Sequence, residues 1–148
     1  GTNGIQAIDL VSRKLPLGNG SVVKSFIAEM RETAQQARSS NNKLLGEIGG
    51  ALDAALDALD KATDYMLANL KSAPNDCLAG ASPYLRLFGT AAGGHYLAQG
   101  AMRDPAAKAR LALAQFYAAN VLPAVHGLLA PATAGANSLF ALTADELT

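Results

Sequence analysis

The sequence predicts an all-α protein, an antiparallel four-helix bundle preceded by a short helix. Three observations carry that prediction. Alanine, the strongest helix former, occurs 31 times in 148 residues. β-branched residues never alternate with polar ones over a useful length, so no strand pattern competes. Leu45, Leu52, Leu59 and Met66 recur every seven residues, and Ile48, Leu56, Thr63 and Leu70 complete the stripe of a bundle seam.

Taken in order, residues 5–15 place Ile5, Ile8, Val11 and Leu15 on one helical face. Residues 16–20, PLGNG, end that helix, because proline breaks the hydrogen-bond ladder and Gly-Asn-Gly favours turns. A domain boundary is expected here, dividing the chain into 1–15, a linker at 16–20 and a bundle at 21–148. Ser21 can cap the next helix, whose apolar positions are Val22, Val23, Phe26, Ile27, Met30, Ala34 and Ala37. SSNN, 39–42, reads as a break before a long helix over 43–71. Residues 72–81 read as a loop. Ser82-Pro83 then supplies a cap and a first-turn proline for a helix to about Met102, and Asp104-Pro105 repeats the signal. The last helix is expected over 105 to about 129, kinked at Pro123, followed by a loop at 130–138 and a short terminal piece.

Lys plus Arg equals Asp plus Glu, 12 against 12, so the cationic surplus that a nucleic-acid binder needs is missing. No basic run suits an anionic membrane surface. Only 16% of residues are charged, and Leu111–Ala144 contains none. That stretch is interrupted by Pro123, Pro131 and several polar residues, so it reads as a buried helix and loop rather than a span. Such charge-poor helices predict cover by another domain or subunit. The one cysteine, Cys77, reads as a small buried hydrophobe, and a cytoplasmic location fits it.

Candidate chemistry is sparse. Asp53, Asp57, Asp60 and Asp64 share one helical face, but a carboxylate metal bundle wants Glu-x-x-His pairs pointing inward. A solvated face fits better, with Lys61 four residues after Asp57 for an ion pair, and no metal site is expected. His95 and His126 have no carboxylate or cysteine at ligand spacing and read as structural or interface residues. In FGTAAGGHYLAQG, 88–100, the glycines lack the Lys-Ser/Thr of a phosphate loop and the preceding strand of a dinucleotide fingerprint. They read as places where another backbone approaches closely.

The opening GTNGIQAI resembles the segment of acyl-CoA dehydrogenases that follows their catalytic glutamate, where Tyr-Glu-Gly-Thr leads through a turn into an Ile-Gln helix. YLRLFGTAAGGHYLAQGA, KARLALAQFYAANVLPAV and AGANSLFALTADEL look like the extra C-terminal helical domain of a subgroup that includes the 3-methylmercaptopropionyl-CoA dehydrogenase type. The resemblance implies a parent enzyme in which a glutamate takes the α-proton of an acyl-CoA and FAD accepts the β-hydride. Electrons then pass to an electron-transfer flavoprotein. It implies that Gly1 and Thr2 adjoin the base, that Asn3 and Gly4 form the turn beside the cofactor, and that the base itself precedes Gly1. The chain is then expected to be an inactive C-terminal part of a cytoplasmic homo-oligomer, carrying no FAD by itself. The alternative is a free-standing interaction module whose charge-poor face binds a partner helix.

Overall fold

The computed structural model describes residues 2–104 and 106–147. Seven α-helices are described: α1 (Thr2–Asp9), α2 (Ser21–Arg38), α3 (Lys43–Asn69), α4 (Pro74–Ala79), α5 (Ala81–Arg103), α6 (Lys108–Asn120) and α7 (Ala124–Thr133). A π turn (Leu10–Lys14) and a 3-10 turn (Leu17–Gly20) join α1 to α2, and a second 3-10 turn covers Ala144–Leu147. No strand occurs among the described residues. The all-α bundle expected from periodicity is the fold observed.

α3 is the spine. It packs on α2, α5, α6 and α7, α5 packs in turn on α1, α2, α6 and α7, and α4 touches both α3 and α5 only lightly. The seam reading holds: Leu45, Ile48, Leu52, Leu56, Leu59, Thr63 and Met66 are buried. Much of the rest of the core is alanine, including Ala34, Ala55, Ala62, Ala91 and Ala98. Small side chains let helices approach, and two glycines take this furthest. A Cβ on Gly49 would lie 2.5 Å from the Ala34 carbonyl oxygen, and one on Gly80 would run into the Ala132 carbonyl. Ala7, Val11 and Leu15 join the same contiguous core, with α1 laid against α5.

Several boundaries differ from the sequence reading. Ser21 is the first residue of α2 and caps nothing; Gly20, at φ 86°, precedes it. Gly18 and Asn19 are also left-handed, so three successive residues reverse the chain in a conformation that only Gly and Asn adopt readily. Asn42, read only as part of a break, caps α3 by accepting from the N–H groups of Leu44 and Leu45.

The expected loop at 72–81 contains α4, started by Pro74 at its first turn. α5 begins at Ala81, ahead of the expected Ser82 cap, with Gly80 before it. Pro83 is accommodated because the first helical N–H groups have no intrahelical partner to lose. Pro105 lies outside the described residues, and α6 starts at Lys108. The expected single last helix is two, α6 and α7, bent by 47°. Pro123 cannot donate to the ladder, so the chain restarts there, and α7 then runs through Pro131 to Thr133 instead of ending near 129. Among the described residues no single helix is long and apolar enough to cross a membrane; the α6–α7 pair reaches that composition only across its bend.

Candidate functional site

Four features could carry function. The first is the segment singled out by the opening motif. Gly1 lies outside the described residues. Thr2, Asn3 and Gly4 are exposed, and they form the first turn of α1 rather than the expected non-helical turn. No positive φ occurs at Gly4, and nothing approaches within 4 Å of where its Cβ would be. The first-turn N–H groups of a helix lack intrahelical acceptors and carry the positive end of its dipole. No acidic residue occupies this first turn.

The second feature is the aspartate face of α3. It meets cations of α2 rather than Lys61. Lys24 Nζ lies 2.6 Å from Asp60 and 2.5 Å from Asp64. Arg31 spans Asp53 at 3.1 Å and Asp57 at 2.8 Å, and Arg38 reaches the other oxygen of Asp53 at 2.7 Å. Burial works against the charge on Lys24, but the bonds to Asp60 and Asp64 outweigh it and hold the ammonium above its ordinary pKa. A cavity of about 510 Å³ lies between Arg31, Gln35, Arg38, Ser39 and Asp53. Its arginines already face carboxylates, so it offers no net cationic seat for an anion. Among the described residues no group of three or more His, Cys, Asp or Glu could hold a metal.

The third is His95 on α5. It is fully buried, and neither ring nitrogen has a hydrogen-bond partner. Phe26 packs edge-on with ring centres 5.9 Å apart, Tyr96 lies at 4.7 Å, and Glu29 Oε1 is 3.7 Å from Nε2. Burial lowers its pKa, with Glu29 opposing. The structural reading of His95 fits this setting, whereas His126 is exposed on α7. The glycines near His95 do not admit another backbone. Gly93 and Gly94 seat the side chains of Tyr117 and Leu122, and Gly89 and Gly100 face open space. The glycines that meet backbone too closely for a side chain are Gly49 and Gly80.

The fourth is an apolar groove of about 220 Å³ where the π turn, the 3-10 turn, α2 and α5 converge. Leu15, Leu17, Val22, Phe26 and Phe88 line it, with Lys14 at its edge. Its residues come from 10–26 and, far along the chain, Phe88, so no local motif announces it.

These features define an all-α bundle domain whose polar groups are spent mainly on packing and helix pairing. Residues 26–143 match the model of a family described as acetyl-CoA dehydrogenase C-terminal like, and the chain belongs to that family. It is a C-terminal-region domain of the acyl-CoA dehydrogenase kind. No curated protein matches the chain.

Proposed function

We propose that this chain is the C-terminal part of an FAD-dependent acyl-CoA dehydrogenase, and that its bundle is a non-catalytic packing or oligomerisation domain. The observation that carries the reading is the family match over residues 26–143. The match begins inside α2, which supports assigning residues 1–15 to the end of the dehydrogenase helical domain, 16–20 to a linker and 21–148 to the added bundle. The subgroup is that of the 3-methylmercaptopropionyl-CoA dehydrogenase type. The parent is a cytoplasmic homo-oligomer that oxidises an acyl-CoA thioester to its 2-enoyl form and passes electrons to an electron-transfer flavoprotein.

FAD, when bound, supplies the acceptor for the hydride. This chain's contribution is positional. Thr2, Asn3 and Gly4, with Gly1 before them, border the cofactor, and the exposed N–H groups of the first turn of α1 suit an anionic group such as a pyrophosphate. Exposed Ile5 and Ile8 on α1, and Leu113 and Phe116 on α6, form apolar surface suited to the catalytic body or a neighbouring subunit.

The test is purification of the encoded protein at its native length. The expected result is bound FAD that bleaches on adding an acyl-CoA, with electrons recovered in an artificial acceptor. A native-length protein with no flavin and no acyl-CoA-dependent reduction overturns the reading and advances the interaction-module alternative.

A further inference from the structure

We propose that Asp76 is a two-position clasp. It holds the segment after α7 on the bundle by accepting from the Ala136 N–H, and it lets that segment swing out on Gly135 by accepting from the Tyr65 hydroxyl instead. The inference goes beyond the dehydrogenase reading and does not depend on it.

The segment enters the bundle at one place. Ala136 is 4% exposed, and residues 137–147 after it are all exposed, Leu139, Phe140 and Leu142 among them. Gly135, just before it, adopts φ 77°, a conformation that glycine takes up freely and that suits a pivot. The end of α7 itself is pinned, because the Ala132 carbonyl lies where a Cβ on Gly80 would be.

α4 supplies the clasp. This six-residue helix is anchored by buried Cys77, whose thiol reaches the Met66 carbonyl at 3.6 Å. The anchor sets Asp76 over the exit of α7. Asp76 Oδ1 accepts from the Ala136 N–H at 2.8 Å, across 60 residues of sequence. A carboxylate acceptor makes such a bond about twice as strong as a neutral one.

Tyr65, on α3, supplies the second position. From the place a Gly135 Cβ would occupy, Asp76 Oδ1 is 3.2 Å away and the Tyr65 hydroxyl oxygen 3.7 Å. The glycine therefore lies between the carboxylate and the phenol. Burial and the Asp76 charge both push the Tyr65 pKa up, so the phenol keeps the proton it would donate. Exchanging one donor for the other leaves the carboxylate satisfied. Release then uncovers little beyond Ala136 and its N–H, which water can bond. Opening of this kind is local, because the leucine seam of α3 stays buried throughout.

Hydrogen exchange in the protein at its native length, read by mass spectrometry at the Ala136 amide, tests the clasp. Asp76→Ala removes the acceptor, and exchange there should speed up by about tenfold or more. Asp76→Asn keeps an acceptor oxygen without the charge and should fall between the two. Tyr65→Phe removes the competing donor, and exchange at Ala136 should slow. The amides of α3 should keep their natural rates in every variant. Exchange at Ala136 that Asp76→Ala leaves unchanged, or that Tyr65→Phe leaves unchanged or accelerates, overturns the proposal. So does acceleration that runs in step through α3, because Ala136 then opens only with the whole bundle.

Discussion

Thr63 and Tyr84 form a buried hydroxyl pair between α3 and α5, and its polarity can be worked out from the bonds. Thr63 Oγ1 lies 2.8 Å from the Leu59 carbonyl and 2.8 Å from the Tyr84 hydroxyl. Threonine has one proton, and the carbonyl can only accept, so Thr63 donates to Leu59 and Tyr84 donates to Thr63. Both residues are fully buried. Tyr84→Phe then removes a donor and leaves Thr63 with its own bond intact, at a cost of about 1 kcal/mol. Thr63→Val removes the acceptor and strands the Tyr84 hydroxyl in the core, at a cost of about 2 kcal/mol, because an orphaned buried polar group bears its full desolvation penalty. In the double variant nothing is stranded, and the loss should be about 1.5 kcal/mol rather than the sum. Urea unfolding followed by circular dichroism at 222 nm, with the slope unchanged across variants, measures all three. Additivity within about 0.5 kcal/mol, or Tyr84→Phe costing more than Thr63→Val, would refute the assigned polarity.

Two further outcomes follow from other sites. His95 is buried neutral with its pKa lowered by burial, so the unfolded chain binds its proton first. Its stabilising effect is full above the ordinary histidine value of 6.5 and is lost as pH falls below that toward the lower native pKa. The slope should not exceed about 1.4 kcal/mol per pH unit, and His95→Leu should flatten it in urea melts between pH 7 and 5. Gly49→Ala should destabilise by about 1–2 kcal/mol, because its new methyl meets the Ala34 carbonyl oxygen at 2.5 Å and the Arg38 nitrogen at 2.7 Å. Its neighbour Gly50 faces nothing within 4 Å, so Gly50→Ala should stabilise by up to about 1 kcal/mol, and thermal melts giving both the same sign would overturn this account of the α2–α3 contact.

What could be read from the sequence was whatever is written at helical spacing. The Leu45–Met66 stripe located α3 and its buried face, and the PLGNG stretch located the reversal before α2. α4 escaped because six residues are too few to show a period, although Pro74 with Asp76 two residues on is a start signal. Pro123 was read as a kink and is a full break, since turns at 121–123 replace the ladder there. The aspartate face was legible as solvated, but its partners on α2 were not, because Lys24, Arg31 and Arg38 stand far from the aspartates along the chain, from Arg38–Asp53 to Lys24–Asp64. Thr63 could be placed in the seam, but Tyr84 could not be placed beside it. The role proposed for Thr2–Gly4 came only through the resemblance; spacing alone marks them as nothing more than the approach to a helix.

The alanine-rich interior has a consequence for how this domain can change over generations. A core of leucines erodes by truncation, each shortened side chain leaving a hole. Here Ala34, Ala55, Ala62, Ala91 and Ala98 have almost nothing left to remove, and the helices already stand close around them. Enlargement is the damaging direction at those positions, because any added methyl must push two helices apart. Drift in the interior is therefore one-sided: tolerant of exchanges among Gly, Ala and Ser on the helix flanks, closed to growth at the seam. Variation should collect instead at exposed positions that pack against nothing.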